Sequence, residues 1–212
     1  MTELDDTEPD RTGLDDDWRA SALPALGVVL DEGRGALPFA LLHGEALVAC
    51  ASWALGEAQV TSVDLGTPWW AVQETGDPLV LHDVLCPMTP AEFIAGCVTR
   101  AVDEDVVVVG VRPVTDTVKH VESGFVGETV DRSGLLAVVS PLVLPASVVA
   151  ALPDWPGDDL ATLVDLLARE HTVVPVEAPA TARRVTSEED VRVLEALTRP
   201  EGDGGDLLGE LR

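Results

Sequence analysis

Lysine is almost missing from this chain. Of 13 cationic residues only one, Lys119, is a lysine, and 38 acidic residues leave a formal charge of −25. Such a surface repels nucleic acid and anionic membranes, although a few local arginines can still hold a small anion. The arginine-for-lysine bias points to a GC-rich genome rather than to chemistry. Aromatic residues are also scarce, at 4%. With hydrophobic residues at 46% there is material for a core, but Val, Leu and Ala must supply most of it. Three cysteines, Cys50, Cys86 and Cys97, form no CxxC pair and are odd in number, which fits reduced thiols in a cytosolic protein. A basic segment leading into an apolar one is absent from the N-terminus, so no signal peptide is apparent. The longest apolar run, "LLAVVSPLVLPASVVAAL", is interrupted by Ser140, Pro141 and Pro145. It is expected to form a strand end, a turn and a helix rather than a membrane span. These absences predict a soluble, cytoplasmic protein.

What is present alternates. "LGVVL", "AQVTSVDL", "PLVLH", "DVVVVGV" and "TVVPVEA" are strand-like, and the consecutive valines favour a sheet covered on both faces. "EALVACASWAL" has apolar residues at helical spacing, while "DDLATLVDLLAREH" and "SEEDVRVLEALT" are helices with acidic first turns. Thr89, Pro90 and Glu92 predict a capping box ahead of "FIAGCVTRAV". Strands and helices in alternation indicate an α/β fold with a mostly parallel sheet built from βαβ units. Residues 1–22 are expected to be a disordered acidic tail, 23–199 one domain, and 200–212 a flexible tail.

Residues 113–135, "PVTDTVKHVESGFVGETVDRSGL", break the alternation. Two Val- and Thr-rich runs joined by "ESG" suit a hairpin with a bulge. A projecting hairpin cannot bury both faces alone, so it is either a dimerisation arm or an edge extension packed on its own domain.

"PVTDTVK", the hairpin, and "ETVDRSGL" followed by "SP" resemble the 2-C-methyl-D-erythritol 4-phosphate cytidylyltransferase family of the non-mevalonate isoprenoid pathway. So do "VLHD" with Pro87, where the family has His-Asp-x-x-Arg-Pro, and "RRVTSEEDVRVLEAL", which is similar to its Lys-Val-Thr-x-x-Glu-Asp segment. "GVVLDEGRGALPFALLHGEALV" is a weaker match to its Gly-rich loop and first helix. The resemblance implies a Rossmann-like sheet with helices on both faces and a projecting β-hairpin arm that clasps a second subunit. It implies catalytic roles for Asp83 and Arg184, with Asp83 holding Mg²⁺ against a triphosphate. Arg132, Ser140 and Thr186 become substrate-binding, Arg132 as a phosphate clamp reaching the partner's site. Gly33, Arg34 and Gly35 become nucleotide-binding. The bland alternatives are a loop-starting Asp83, an Arg132 paired with nearby carboxylates, and a solvated pair Arg183 and Arg184.

Departures from the family pattern are concentrated at the nucleotide. Asp31 and Glu32 bring negative charge to the triphosphate loop, Phe39 replaces a lysine, and Cys86 replaces the arginine of His-Asp-x-x-Arg-Pro. Pro179 and Ala182 stand where the family has Asp and Asn, and Ser140-Pro141 where it has Thr-Pro-Gln. The Gly-Gly-x-x-Arg-x-x-Ser segment that would meet cytosine is not found. "TPWWAVQE" occupies that region, with Trp69 and Trp70 expected to pack. The expectation is a homodimer with a degenerate CTP site, a non-catalytic ligand-binding or regulatory homologue. It would bind a small phosphorylated ligand and pair with itself or with a paralogous cytidylyltransferase. The alternative is an active Mg²⁺-dependent enzyme making CDP-methylerythritol and pyrophosphate.

Overall fold

The computed structural model describes residues 17–199 apart from Ser123, so the expected tail at 200–212 lies outside the described residues. Of the expected N-terminal tail, residues 1–16 likewise lie outside. Asp17–Ser21 forms a short helix, α1, whose Trp18 is half-buried against the domain. Then follow β1 (Ala25–Leu30), the two-residue strands β2 (Leu41–Leu42) and β3 (Glu45–Ala46), α2 (Leu47–Glu57) and β4 (Val60–Ser62). Next come α3 (Trp69–Thr75), β5 (Leu79–Asp83), α4 (Ala91–Glu104), β6 (Val107–Pro113), β7 (Lys119–Glu122) and β8 (Phe125–Thr129). The chain continues with β9 (Leu136–Leu144), α5 (Ala146–Ala151), α6 (Leu160–Leu167), β10 (Val173–Glu177) and α7 (Glu188–Leu197).

Six strands form the central sheet in the order β10-β6-β9-β5-β1-β4. All neighbours run parallel except β9, which is antiparallel to both β5 and β6. Side chains alternate across a strand, and the runs of Val and Leu use that alternation to build two cores. Leu79, Leu81, Val107, Val109, Leu142 and Leu144 face α3, α5 and α6. Val80, Val108 and Val143, one residue out of phase, face α2 and α4. A third cluster joins α7 to α2 through Leu42, Leu47, Val185, Val191 and Leu194. Each fully buried Leu contributes roughly 1.5–3 kcal/mol. Aliphatic side chains thus build this Rossmann-like α/β fold with few rings.

Three local expectations are corrected. β9 does not turn at Ser140-Pro141; it runs through that cis peptide bond to Leu144 before α5 begins. Thr89 does not cap α4, because its hydroxyl donates to the Cys86 carbonyl at 2.8 Å and the N-cap position belongs to Pro90. Trp69 and Trp70 do not share a role. Trp69 is buried against Trp155, ring centres 5.0 Å apart, whereas Trp70 is exposed.

The arm grows out of the antiparallel connection between β6 and β9, whose register ends at Pro113 opposite Leu136. Within it β7 and β8 pair around a register shift, with Glu122 opposite Phe125, so Glu122 belongs to the strand and not to the expected three-residue connection. Val121, Phe125 and Val126 on this hairpin are exposed.

Candidate functional site

β5 delivers His82 and Asp83 to the carboxyl end of the sheet, where open α/β sheets place their ligands. Both are buried, in contrast to the usual exposure of acids. Asp83 is fixed from every side. Its Oδ1 accepts from the Leu85 N–H at 3.0 Å and from Arg34 Nε at 3.3 Å, and its Oδ2 accepts from Arg184 Nε at 2.8 Å. Its own N–H donates to Ser140 Oγ at 3.0 Å.

The two arginines arrive from remote parts of the chain. Arg34 sits between Gly33 and Gly35, whose φ values of +69° and +61° let the loop fold its side chain inward over the sheet. Its Nη2 also donates to the Asp158 carbonyl at 2.9 Å. Arg184 precedes the fully buried Val185, whose N–H donates to the Leu85 carbonyl at 2.8 Å and so anchors it beside Asp83. Arg34 is 13% exposed at its side chain and Arg184 36%. A cleft of about 240 Å³ opens over the trio, walled by Val138, Val139 and the start of α6, with Asp159 at its rim. Asp159 caps α6 by accepting from Thr162 N–H at 2.7 Å. That hydrogen bond first, and then the charges of Arg34 and Arg184, hold its carboxyl below the ordinary value.

Beside this cleft lies a larger crevice of about 540 Å³ at the ends of β1 and β4. Asp31, Glu32, Asp64, Ser52 and Ser62 line it, and no cation does among the described residues. A polyphosphate entering there meets carboxylates as the charged side chains of the lining.

Ser140 and Thr186 are placed where the folded chain itself uses them. Ser140 is fully buried, its hydroxyl shared between the Asp83 N–H and His82 Nδ1, so it is not at the cleft surface. Thr186 N–H and hydroxyl both donate to Asp190 Oδ2, at 2.8 and 2.7 Å, within the N-terminal box of α7. Arg132 lies on the exposed arm and donates to the Thr115 carbonyl of the same arm. Lys119 donates across the hairpin to Thr129 at 2.7 Å. Cys86 and Ala182, at positions where the family pattern has Arg and Asn, meet in one small buried cluster with Val139 and Ala178. Burial pushes the Cys86 thiol up to about 12, so it replaces the arginine by packing, not by charge.

A hard dication such as Mg²⁺ needs oxygen ligands with their lone pairs free. Here both Asp83 oxygens face guanidinium nitrogens. Among the described residues no group of three or more His, Cys, Asp or Glu side chains converges. As arranged, these residues do not fit a resident divalent ion. Sequence reasoning missed His82 and the Asp158–Asp159 segment. The acidic pair ahead of "LATL" pointed to a helix start, but nothing marked it as a wall of the cleft.

The family model for 2-C-methyl-D-erythritol 4-phosphate cytidylyltransferase matches residues 42–199, beginning after the Gly33–Gly35 loop. The cytidylyltransferase of Lysinibacillus sphaericus is 35% identical over 132 residues, 59% of this chain and 56% of that protein. That of Frankia casuarinae is 34% identical over 131 residues, 60% of this chain and 48% of its own length. The aligned part of the chain thus spans about half the length of these curated relatives. In fold, the crystal structure of the cytidylyltransferase from Thermus thermophilus superposes with a TM-score of 0.62 at 21% identity, covering 84% of this chain and all of that one. The synthase from Anaerococcus prevotii gives 0.60 at 13% identity, covering 85% and 97%. No helix among the described residues is long and apolar enough to cross a membrane.

Proposed function

The chain belongs to the 2-C-methyl-D-erythritol 4-phosphate cytidylyltransferase family, and on that premise we propose that it is a ligand-binding or regulatory homologue that has given up its CTP half. The observation that carries this reading is the sign of the crevice beside the cleft: Asp31, Glu32 and Asp64 stand there with no cation among the described residues that line it. Nucleotidyl transfer needs positive charge around the triphosphate as the substrate phosphate attacks in line, and losing one such contact costs orders of magnitude in rate. The neighbouring cleft keeps two guanidiniums, Arg34 and Arg184, which suit a small phosphorylated ligand. In this reading the protein acts in the cytoplasm as a homodimer, or with a paralogous cytidylyltransferase. The exposed Val121, Phe125 and Val126 of the arm make the contact, and Arg132 is offered to the partner's ligand.

Pyrophosphate release from the purified protein with CTP, 2-C-methyl-D-erythritol 4-phosphate and Mg²⁺ tests it, with thermal unfolding run in parallel. The expected outcome is no turnover, no protection by CTP, and protection by the phosphorylated polyol, which stabilises whatever folded state binds it. Turnover that disappears in Asp83→Ala would instead establish an active cytidylyltransferase. Arg34 would then have to leave Asp83 to serve the triphosphate.

A further inference from the structure

We propose that Asp83 is the counter-ion of an arginine pair rather than a metal ligand. On this account the cleft binds phosphate monoanions and dianions without any divalent cation, and Asp83 lowers that affinity. The inference rests on the reading that the cleft takes a phosphorylated ligand, and it concerns how the ligand is held.

The geometry is specific about which donors are used. Arg34 spends Nε on Asp83 and Nη2 on the Asp158 carbonyl, leaving Nη1. Arg184 spends only Nε, and both its Nη groups have no partner among the described residues. The two guanidiniums therefore present their Nε edges to a buried carboxylate and keep terminal N–H groups for the cleft. Asp83 itself is held by the Leu85 N–H and, through its own N–H, by Ser140 Oγ. These main-chain contacts hold it in place without any ligand. Two positive charges, one internal carboxylate and the rim carboxylate of Asp159 leave the cleft close to neutral. Such a site takes a small phosphate by hydrogen bonds from arginine forks and discriminates against a polyanion, which the carboxylates of the neighbouring crevice also oppose.

The opposite assignment makes the opposite prediction. A carboxylate that held a metal against phosphate would be required for binding, and its neutralisation would weaken the complex. A carboxylate that only balances arginines competes with the ligand, and its neutralisation tightens the complex by about tenfold at these separations.

The experiment is a calorimetric titration of inorganic phosphate, and of 2-C-methyl-D-erythritol 4-phosphate, into the full chain and into Asp83→Asn and Arg184→Gln. Each is run once in EDTA and once in Mg²⁺. The expected result has three parts: wild-type affinity unchanged by Mg²⁺, affinity about tenfold higher in Asp83→Asn, and binding lost in Arg184→Gln. Arg184 is partly exposed and a glutamine amide can still donate to Asp83, and circular dichroism checks that the variant is folded. If Asp83→Asn does not fold, the wild-type comparison of EDTA with Mg²⁺ and the Arg184→Gln titration decide the matter. Binding that needs Mg²⁺, or that disappears in Asp83→Asn, overturns the counter-ion assignment while leaving a phosphate-binding protein. Absence of binding to either probe in wild type and Asp83→Asn alike overturns both that assignment and the ligand-binding function.

Discussion

His82 is a fully buried imidazole beside the cleft, and its protonation is set by its surroundings. Ser140 Oγ accepts from the Asp83 N–H and also pairs with His82 Nδ1 at 2.5 Å, which fixes one edge of the ring. The ring's Nε2 is buried without a partner among the described residues. Burial lowers the pKa to about 4, overcoming the opposite pull of the Asp83 charge. The unfolded chain takes up a proton near 6.5, and the folded one does not until about 4. Stability is therefore complete above 6.5 and falls as pH drops through that window, by on the order of 3 kcal/mol. Chemical denaturation at a series of pH values should show this decline, and His82→Gln should flatten it. An unchanged slope in the variant would assign the acid sensitivity to other groups.

At the scale of elements, two helices start at a side-chain cap and three behind a proline, while α2 starts behind Ala46 with neither. α6 begins at Asp159, which caps it, and α7 at Ser187, which accepts from Asp190 N–H at 3.2 Å. α3, α4 and α5 instead start behind Pro68, Pro90 and Pro145 with no side-chain cap. Asp159→Ala should lower stability by about 1 kcal/mol at neutral pH, while Asp159→Asn, which keeps an acceptor, should cost less. Because the folded Asp159 carboxyl titrates below its ordinary 3.8, its contribution is present above that value and lost as pH falls below it. Unfolding curves of wild type and Asp159→Ala should accordingly converge in strong acid. The strands were legible as short uninterrupted runs of Val and Leu, and the longer helices from their apolar spacing and acidic first turns. Thr89 misled because its hydroxyl belongs to the turn before the helix, donating to the Cys86 carbonyl three residues back, while Pro90 takes the N-cap position. The arginine clamp was hidden for another reason. Arg34 is 49 residues from Asp83 and Arg184 is 101 residues from it, so their meeting depends on strand order. Arg184 could be singled out only through its family resemblance. Cys86 and Ala182 looked like two separate losses until the fold put them in one buried contact.

For the whole molecule, the domain and its arm are joined in a way that keeps them independent. The chain leaves the sheet at Pro113 and returns at Leu136, its pairing partner, and Val114 N–H still donates to the Leu135 carbonyl at 3.1 Å. Replacing 115–134 with Asn-Gly would close the same two strands by a two-residue turn. The shortened protein should unfold at nearly the temperature of the parent and, under the proposed arm-mediated dimerisation, sediment as a monomer while the parent sediments as a dimer. A trimmed chain that still dimerises would move the subunit contact elsewhere. Two neighbouring strands that can be joined by either a two-residue turn or a long hairpin make the arm a replaceable cassette. A lineage can therefore lengthen, trim or re-sequence the arm, and leave untouched the ion cluster at the end of β5.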